Sequence, residues 1–568
     1  MHETKNNIGL GVANNKTASG ICYLLALPAI FLIFIFKIVS FIGAIILPFK
    51  EYTPAKGLMG SPWVGMQNFN EVFGTSFFSK ILANTLILKF GYILICGLVA
   101  ICLAMIISLI RSRKLQKFFS ALFLLPYFIP TTVLSYLILN MMAMDGPGFL
   151  FLFHTISLAQ PQTFRIAYIA IEVVKNIGIP VIIALGAIYI QTSLSGGKND
   201  FIHVRLMPTL KAVGLFVLIQ LSALLTTDFE LLSSFCNPLV YEVADTLDTY
   251  AYKTGLLNSQ YSAQAVVWLI QFIIHLVLSV LIYLLIKSFF ANEIFSRQSF
   301  NKNTINLSSS LASSTIGIVL GFLAALLLFL PAILSLAQMG RPSEEAQGMV
   351  GNLMIGRAFA TYIPITLFAV IINGIITALL AYPLTVRNLP GRRVYKIFLI
   401  LILSMGSSGI HEYLFYRGMG AINTYIPYVF TGMFTIVNVF VLKAIYNAQY
   451  TNVEDRTVHG REGDGASFFS KYLPGIWKPL LGLAGLQFIT IWNSYAPSQL
   501  WYINDASRFS PVMMFSNMLM APQGEAYKAL APYVMKIGLW VSLPSIIIGI
   551  LLITFMGHEI FVSKIRKF

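Results

Sequence analysis

Apolar runs of 18 to 30 residues recur along the whole chain, separated by short polar segments. About 20 such residues cross a ~30 Å hydrocarbon layer as a helix. The runs are apolar on every face, whereas the strands of a membrane barrel alternate apolar and polar residues over about ten positions. The pattern predicts an all-α, polytopic helical membrane protein with about 12 transmembrane helices. They fall near 21–49, 84–110, 118–142, 164–191, 209–232 and 264–287, then 314–338, 360–386, 397–416, 424–447, 479–499 and 537–558. Residues 1–20 are polar, and the run after them is too long for the apolar part of a cleavable signal peptide, so it reads as the first span.

Composition agrees. Of the 568 residues 57% are hydrophobic and 11% charged, against roughly 25% charged in a soluble protein, which excludes a water-soluble globular chain. A net charge of +16 raises nucleic acid as a partner until the cations are placed. With the N terminus inside and the cations at span ends (Arg165, Lys211, Lys287, Lys443) counted with the adjoining segment, cytoplasmic segments hold 24 Lys and Arg, outer segments 11, and the span interiors Lys37, Lys89 and Lys175. That bias predicts a multi-pass membrane protein with both termini cytoplasmic and no nucleic-acid partner. Cys22, Cys96, Cys102 and Cys236 have no metal-ligand spacing and read as packing residues.

The polar, Ser- and Asn-rich stretch 288–313 splits the spans into two blocks of six. It reads as a linker, 291–313, between transmembrane domains at 21–290 and 314–568. Each block contains a small-residue span, a basic loop and an aliphatic span, AMIISLIRSRKLQKFFSALFLL at 104–125 and AYPLTVRNLPGRRVYKIFLILI at 381–402. A tandem pair of related halves follows. An even number of spans per half keeps both in one orientation, facing each other around a central path.

Reaction chemistry is missing. SGGKND at 195–200 lacks the Gly spacing and the Ser or Thr of a phosphate loop, so the chain does not hydrolyse ATP by that chemistry. HEYLF at 411–415 lacks the second His of a zinc hydrolase. No catalytic residues and no metal site are expected, and transport is the default for twelve spans in two repeats.

FKEYTPAKGLMGSPWVGMQNFNEVF (49–73) and NPLVYEVADTLDTYAYKTGLL (237–257) resemble outer segments of permease subunits from carbohydrate ABC importers, the branch handling oligo- and polysaccharides. AYPLTVRNLPGRR (381–393), SGIHEYLFYRGMGAINTYIP (408–427) and WNSYAPSQLWYINDASRFSPVMM (492–514) resemble the partner permease, usually a separate polypeptide. The resemblance implies two type I importer permeases fused in one chain, each with one helix ahead of a five-helix core, in a bacterial plasma membrane. It further implies cytoplasmic ABC ATPase subunits carrying the ATP and magnesium, an extracellular lipid-anchored or periplasmic solute-binding protein, a carbohydrate substrate and no cofactor in this chain.

Such permeases meet the ATPase through a loop patterned Glu-Ala-Ala-x-x-Asp-Gly that ends in Leu-Pro. In the second half Glu454, Gly460, Leu473 and Pro474 match, but Asp455 and Arg456 replace both Ala. In the first half, Gly196, Gly197 and Pro208 remain, without a Glu. Three readings stay open: docking through other side chains, one working loop beside a degenerate one, and lost ATP coupling.

Ionisable groups inside a membrane are costly and face a polar interior or a partner. Glu172 and Lys175, three apart on one helix face, are expected to neutralise each other, and Lys175 matches a basic position of the family. Lys37 and Lys89 are expected to snorkel. Gln271 and His275, one turn apart, point to an interhelical hydrogen bond. Sugar recognition needs acceptors for hydroxyls and aromatic faces for the ring. Asp228, Glu230, His411, Glu412, Trp492 and Asn493 offer that combination and form the expected substrate path, set against a reading of Trp492 as an interface marker. The competing functions are a twelve-span secondary sugar transporter, disfavoured because RSRKLQK at 111–117 lacks the Gly and Asp of its signature loop, and a transport-inactive membrane scaffold or sensor.

Overall fold

The computed structural model describes residues 20–142, 158–195, 200–289, 310–337, 355–386, 389–406, 409–431, 434–449, 468–495, 506–520 and 525–556. Among them, seven helices are long and apolar enough to cross a membrane, or nine if two bent pairs each count as one span. The long ones include Gly20–Phe49, Ser76–Leu109, Tyr261–Phe289, Leu311–Ala337, Ile355–Thr385 and Glu525–Leu551. The protein is an all-α, multi-pass membrane protein. Its outward faces fit that solvent: Ile273, Val277, Val280 and Leu284 recur at helical spacing on Tyr261–Phe289 and are all at least half exposed, a stripe left for lipid tails.

Several spans that read as continuous are broken. The stretch expected at 118–142 is two helices, Arg113–Phe128 and Thr131–Met142, bent by 97°. Pro130 forces the break, because the residue before a proline is driven out of helical geometry, and Ile129 is extended (φ −83°, ψ 132°). The 164–191 span is Pro161–Asn176 followed by Gly178–Leu194, bent by 50°. A Cβ on Gly178 would lie 2.5 Å from the Phe123 carbonyl oxygen and Leu124 Cα, so the bend lets two backbones touch. The 397–416 span divides into Arg392–Ser404 and Ile410–Gly418, with Gly406 (φ +54°) and Gly409 (φ +58°) between them. The 209–232 helix stops at Ser222, ten residues early, because Asp228 caps a separate short helix, Phe229–Phe235, by accepting from Leu231 N.

Packing order departs from chain order. Cys22, Ala29, Ile33 and Leu47 of the first helix join a core with Tyr362, Tyr416, Tyr428 and Trp492 of the distal half. Phe36 stacks on Phe430 at 4.0 Å. Conversely, Leu311–Ala337 lies on the proximal half: Phe322 meets Phe119 edge-on at 5.0 Å, and Ser314 Oγ accepts from Arg111 N at 3.0 Å. Small residues permit this approach, since a Cβ on Gly317 would lie 3.0 Å from the Ile106 carbonyl oxygen. The leading helix of each half is thus exchanged onto the other.

The segment SPWVGMQNF (61–69) closes the loop after the first helix. Trp63 stacks on Phe49 at 5.5 Å with planes 6° apart, and Asn68 Nδ2 donates to the carbonyls of Pro48 and Lys50 at 2.8 and 3.1 Å.

Candidate functional site between the halves

The turn that ends the Met207–Ser222 helix sets up a polar network. Asp248, on the short helix Leu247–Tyr252, accepts at Oδ2 from the Thr227 amide (2.7 Å) and hydroxyl (2.9 Å). Its Oδ1 accepts from Gln271 Nε2 at 3.0 Å, and the same amide donates to the Leu225 carbonyl at 2.9 Å. His275 Nε2 meets Thr226 Oγ1 at 3.3 Å. Asp248 lies outside the membrane-length helices. Burial raises its carboxyl above the ordinary range, against the lowering effect of the bonds from Thr227 and Gln271.

These groups form one wall of a cavity of about 450 Å³. Trp268 and Phe272 extend the wall with aromatic faces, stacked at 5.6 Å and 9°, and Phe41 of the exchanged first helix braces both edge-on. The opposite wall is Ser404, Met405, Gly406, Gly409 and Ile410, the break between two helices of the distal half. Gly409 presses on Trp268: a Cβ there would lie 2.9 Å from Cδ1. Lys37 Nζ donates to the carbonyl of Gly406 in this wall, so the lysine expected to snorkel has a partner in the distal half. Trp268, Gln271, Phe272 and His275 share one helix face by their spacing, reaching about 21 Å along the helix from Tyr261.

None of the six residues expected to form the path lines this cavity. Asp228 pairs with Lys175, which also donates to Thr131 Oγ1 at 2.6 Å. Lys175 therefore takes Asp228 rather than Glu172, because Thr131 and Asp228 both sit at chain breaks facing it. Glu172 is 3% exposed and within electrostatic reach of Lys89, Asp228 and Lys175. Lys89 does not snorkel either; it is buried, with Nζ 5.2 Å from the Tyr92 ring centre. Glu230 Oε1 accepts from Ser494 Oγ (2.5 Å) and Tyr495 N (2.9 Å) across the halves. Asn493 Nδ2 donates to the Phe128 carbonyl at 3.1 Å, capping the helix that Pro130 ends. Trp492 is 2% exposed, donates Nε1–H to the Val541 carbonyl at 2.9 Å and stacks on Phe488. His411 is buried against Gly43, whose Cβ would overlap its ring at 2.0 Å. Glu412 is half-buried within reach of Lys37. Four of these residues, Glu230, His411, Glu412 and Asn493, thus meet the other half, whereas Asp228 and Trp492 bond within their own.

The sequence matches no protein-family model. It is 30% identical over 283 residues to the polygalacturonan/rhamnogalacturonan transport system permease protein YteP of Bacillus subtilis (strain 168), a match covering 47% of this chain and 88% of that protein. The chain belongs to the permease family of sugar ABC transporters. Protein LplB of the same organism is 24% identical over 275 residues, 45% of this chain and 85% of that protein. A crystal structure of a bacterial alginate ABC transporter, with an alginate pentasaccharide-bound periplasmic protein, aligns at TM-score 0.40 and 23% identity over 47% of this chain and 93% of its own. Most of a permease fits into less than half of this one, as expected of two fused permeases. The family consists of transport proteins, not enzymes.

The two expected coupling segments of the permease share a local design. Phe201–Leu206 is one wide helical turn running into a helix that begins Met207-Pro208. Phe468–Tyr472 is another, running into a helix that begins Leu473-Pro474. Pro fits the first turn, where its missing N–H costs nothing. Ahead of the first, Asp200 accepts from the amides of Ile202 and His203 and from His203 Nδ1 at 2.7 Å. These bonds hold its carboxyl below the usual range. Gly196, Gly197, Glu454 and Gly460 lie outside the described residues.

Sequence reasoning identified Gln271 and His275 but passed over Trp268, Phe272, Gln264 and Asp248. The signal was present as aromatic and polar residues at 264, 268, 271, 272 and 275, a single stripe on an otherwise apolar span.

Proposed function

We propose that the permease forms the pore of an ATP-driven oligosaccharide importer, with units at 21–290 and 314–568 joined by 291–313 and with both termini in the cytoplasm. ATP and magnesium belong to separate ABC ATPase subunits. These dock on 191–208, through Gly196, Gly197 and Pro208, and on 448–478, through Glu454, Gly460, Leu473 and Pro474. A solute-binding protein delivers sugar to the outer face. The sugar passes through the cavity lined by Trp268, Phe272 and Asp248, while Asp228, Glu230, His411, Glu412, Trp492 and Asn493 frame that path and hold the halves in register.

The cavity carries this reading. Stacked aromatic faces suit the C–H surface of a sugar ring, and a carboxylate with polar neighbours suits its hydroxyls. The test is uptake by the whole transporter carrying Trp268→Ala or Phe272→Ala. Loss of a stacking face worth about 1 kcal/mol lowers uptake roughly five- to tenfold, with ATPase co-purification unchanged. Wild-type uptake at matched expression would move the path elsewhere.

A further inference from the structure

Several polar side chains of the cavity already have protein partners. Gln271 Nε2 donates to the Leu225 carbonyl and to Asp248, Thr227 donates to Asp248, and Thr226 meets His275. Gln264 differs from them. It lines the same cavity, yet its Oε1 is buried without a hydrogen-bond partner. That oxygen rests in a notch over Gly255, in the wide turn Lys253–Leu257, where a Cβ would lie 1.4 Å from it. Gly255 is not among the glycines at positive φ, so it is the Gln264 head group, not the backbone, that needs glycine there. Tyr252 and Leu256 on the same stretch of chain also line the cavity. A buried acceptor without a donor raises the free energy of this arrangement, and a glutamine side chain has the rotamer freedom to leave it.

Resting on the reading of this cavity as the sugar site, we infer that Gln264 is its specificity-determining residue: the amide swings out of the notch and binds hydroxyls of the ring that stacks on Trp268. Gln264 and Trp268 are one turn apart on Tyr261–Phe289 and share a helix face. An amide accepts at its oxygen and donates at its nitrogen. One Gln264 head group therefore satisfies a hydroxyl that donates and a neighbouring oxygen that accepts, which is the pattern of a sugar's vicinal diol. For Thr227 or Gln271 Nε2 to donate to a sugar, a bond within the protein must first break. Binding by Gln264 breaks none and relieves an unpaired acceptor. Trp268 fixes the plane of the ring and Gln264 fixes one edge of it, so the position of the hydroxyls is read.

The full chain in lipid nanodiscs, with Trp268 as the fluorescent reporter and Trp268→Phe as the blank, tests this directly. It is titrated with maltotriose, cellotriose, mannotriose and trigalacturonate. The probe that acts at the lowest concentration is then compared with its monodeoxy analogues on the wild type and on Gln264→Met, which keeps the length of the side chain without the amide. Gln264→Met is expected to raise the concentration needed about fivefold, the loss of one hydrogen bond. Its thermal midpoint is expected to be no lower than that of the wild type, because the Gln264 oxygen has no bond within the protein to lose. At least one deoxy analogue is expected to be about fivefold weaker than its parent on the wild type and equal to its parent on Gln264→Met. A parent probe that acts equally on both proteins, or deoxy penalties that persist in Gln264→Met, overturns the role of Gln264 while leaving the cavity as the site. Silence of Trp268 toward every probe removes the cavity reading and the inference together.

Discussion

The two walls of the cavity are built by different means. The proximal wall, 226–275, is side-chain chemistry, a carboxylate held by Thr227 and Gln271 beside a stacked Trp268–Phe272 pair. The distal wall is a helix break, where Met405 and Ile410 flank two glycines at positive φ, Gly406 and Gly409. Thr226, Thr227, Asp248, Gln271 and His275 of the first wall have partners at fixed distance, whereas the second wall meets the first at a glycine, Gly409 against Trp268. One half supplies recognition and the other supplies clearance. This asymmetry is available to a permease whose two halves are different sequences and would be denied to a symmetric homodimer.

The sharpest way to break the comparison is Gly409→Val. A branched side chain at φ +58° is strained by about 1–3 kcal/mol, and its Cβ would lie 2.9 Å from Trp268 Cδ1. Uptake should fall more than about tenfold with the aromatic wall displaced, read by transport and Trp268 fluorescence. Normal transport would mean that clearance is not what the distal wall provides. Thr227→Val comes next. It removes the hydroxyl donated to Asp248 but keeps shape, so a loss of about 1–2 kcal/mol in thermal stability is expected, together with reduced uptake. Gly406→Ala separates strain from clearance: φ is +54° but nothing lies within 4 Å of the added Cβ, so only the left-handed penalty of about 1 kcal/mol applies. An effect as large as that of Gly409→Val would erase the distinction. The smallest effect is at Asp200, outside the cavity. Its carboxyl is held low by His203 and two amides, so its cap is intact above the ordinary carboxylate range and is lost as pH falls through the lowered value. Asp200→Asn should abolish that acid dependence in limited proteolysis of the 200–206 turn without altering sugar uptake.

Hydrophobic runs were enough to read the membrane class and most span positions, because a ~30 Å apolar slab demands long apolar helices whatever their neighbours. Breaks were less legible. Pro130 is visible in the sequence, but a 97° bend depends on what receives the freed carbonyl of Phe128, and that is Asn493, 365 residues away. The six path residues illustrate the limit. Their polarity within apolar runs was correctly noticed, yet the type of residue does not say whether a carboxylate such as Glu230 meets a sugar hydroxyl or the hydroxyl of Ser494. Trp268 was overlooked because a tryptophan on an apolar span looks like any lipid-facing aromatic until the opposite wall is known.

The sequence by itself determined that the chain crosses a membrane many times and that its segments 49–73, 237–257 and 492–514 follow the sugar-permease pattern. These properties are local: hydropathy, charge placement and short motifs act within about 20 residues. The tertiary structure decided the exchange of the leading helices, the pairing of Lys175 with Asp228 rather than Glu172, and the meeting of Trp268 with Gly409. Those depend on contacts between segments more than a hundred residues apart, or on chain breaks, where an apolar helix has many acceptable neighbours and only shape and the pairing of buried polar groups choose among them.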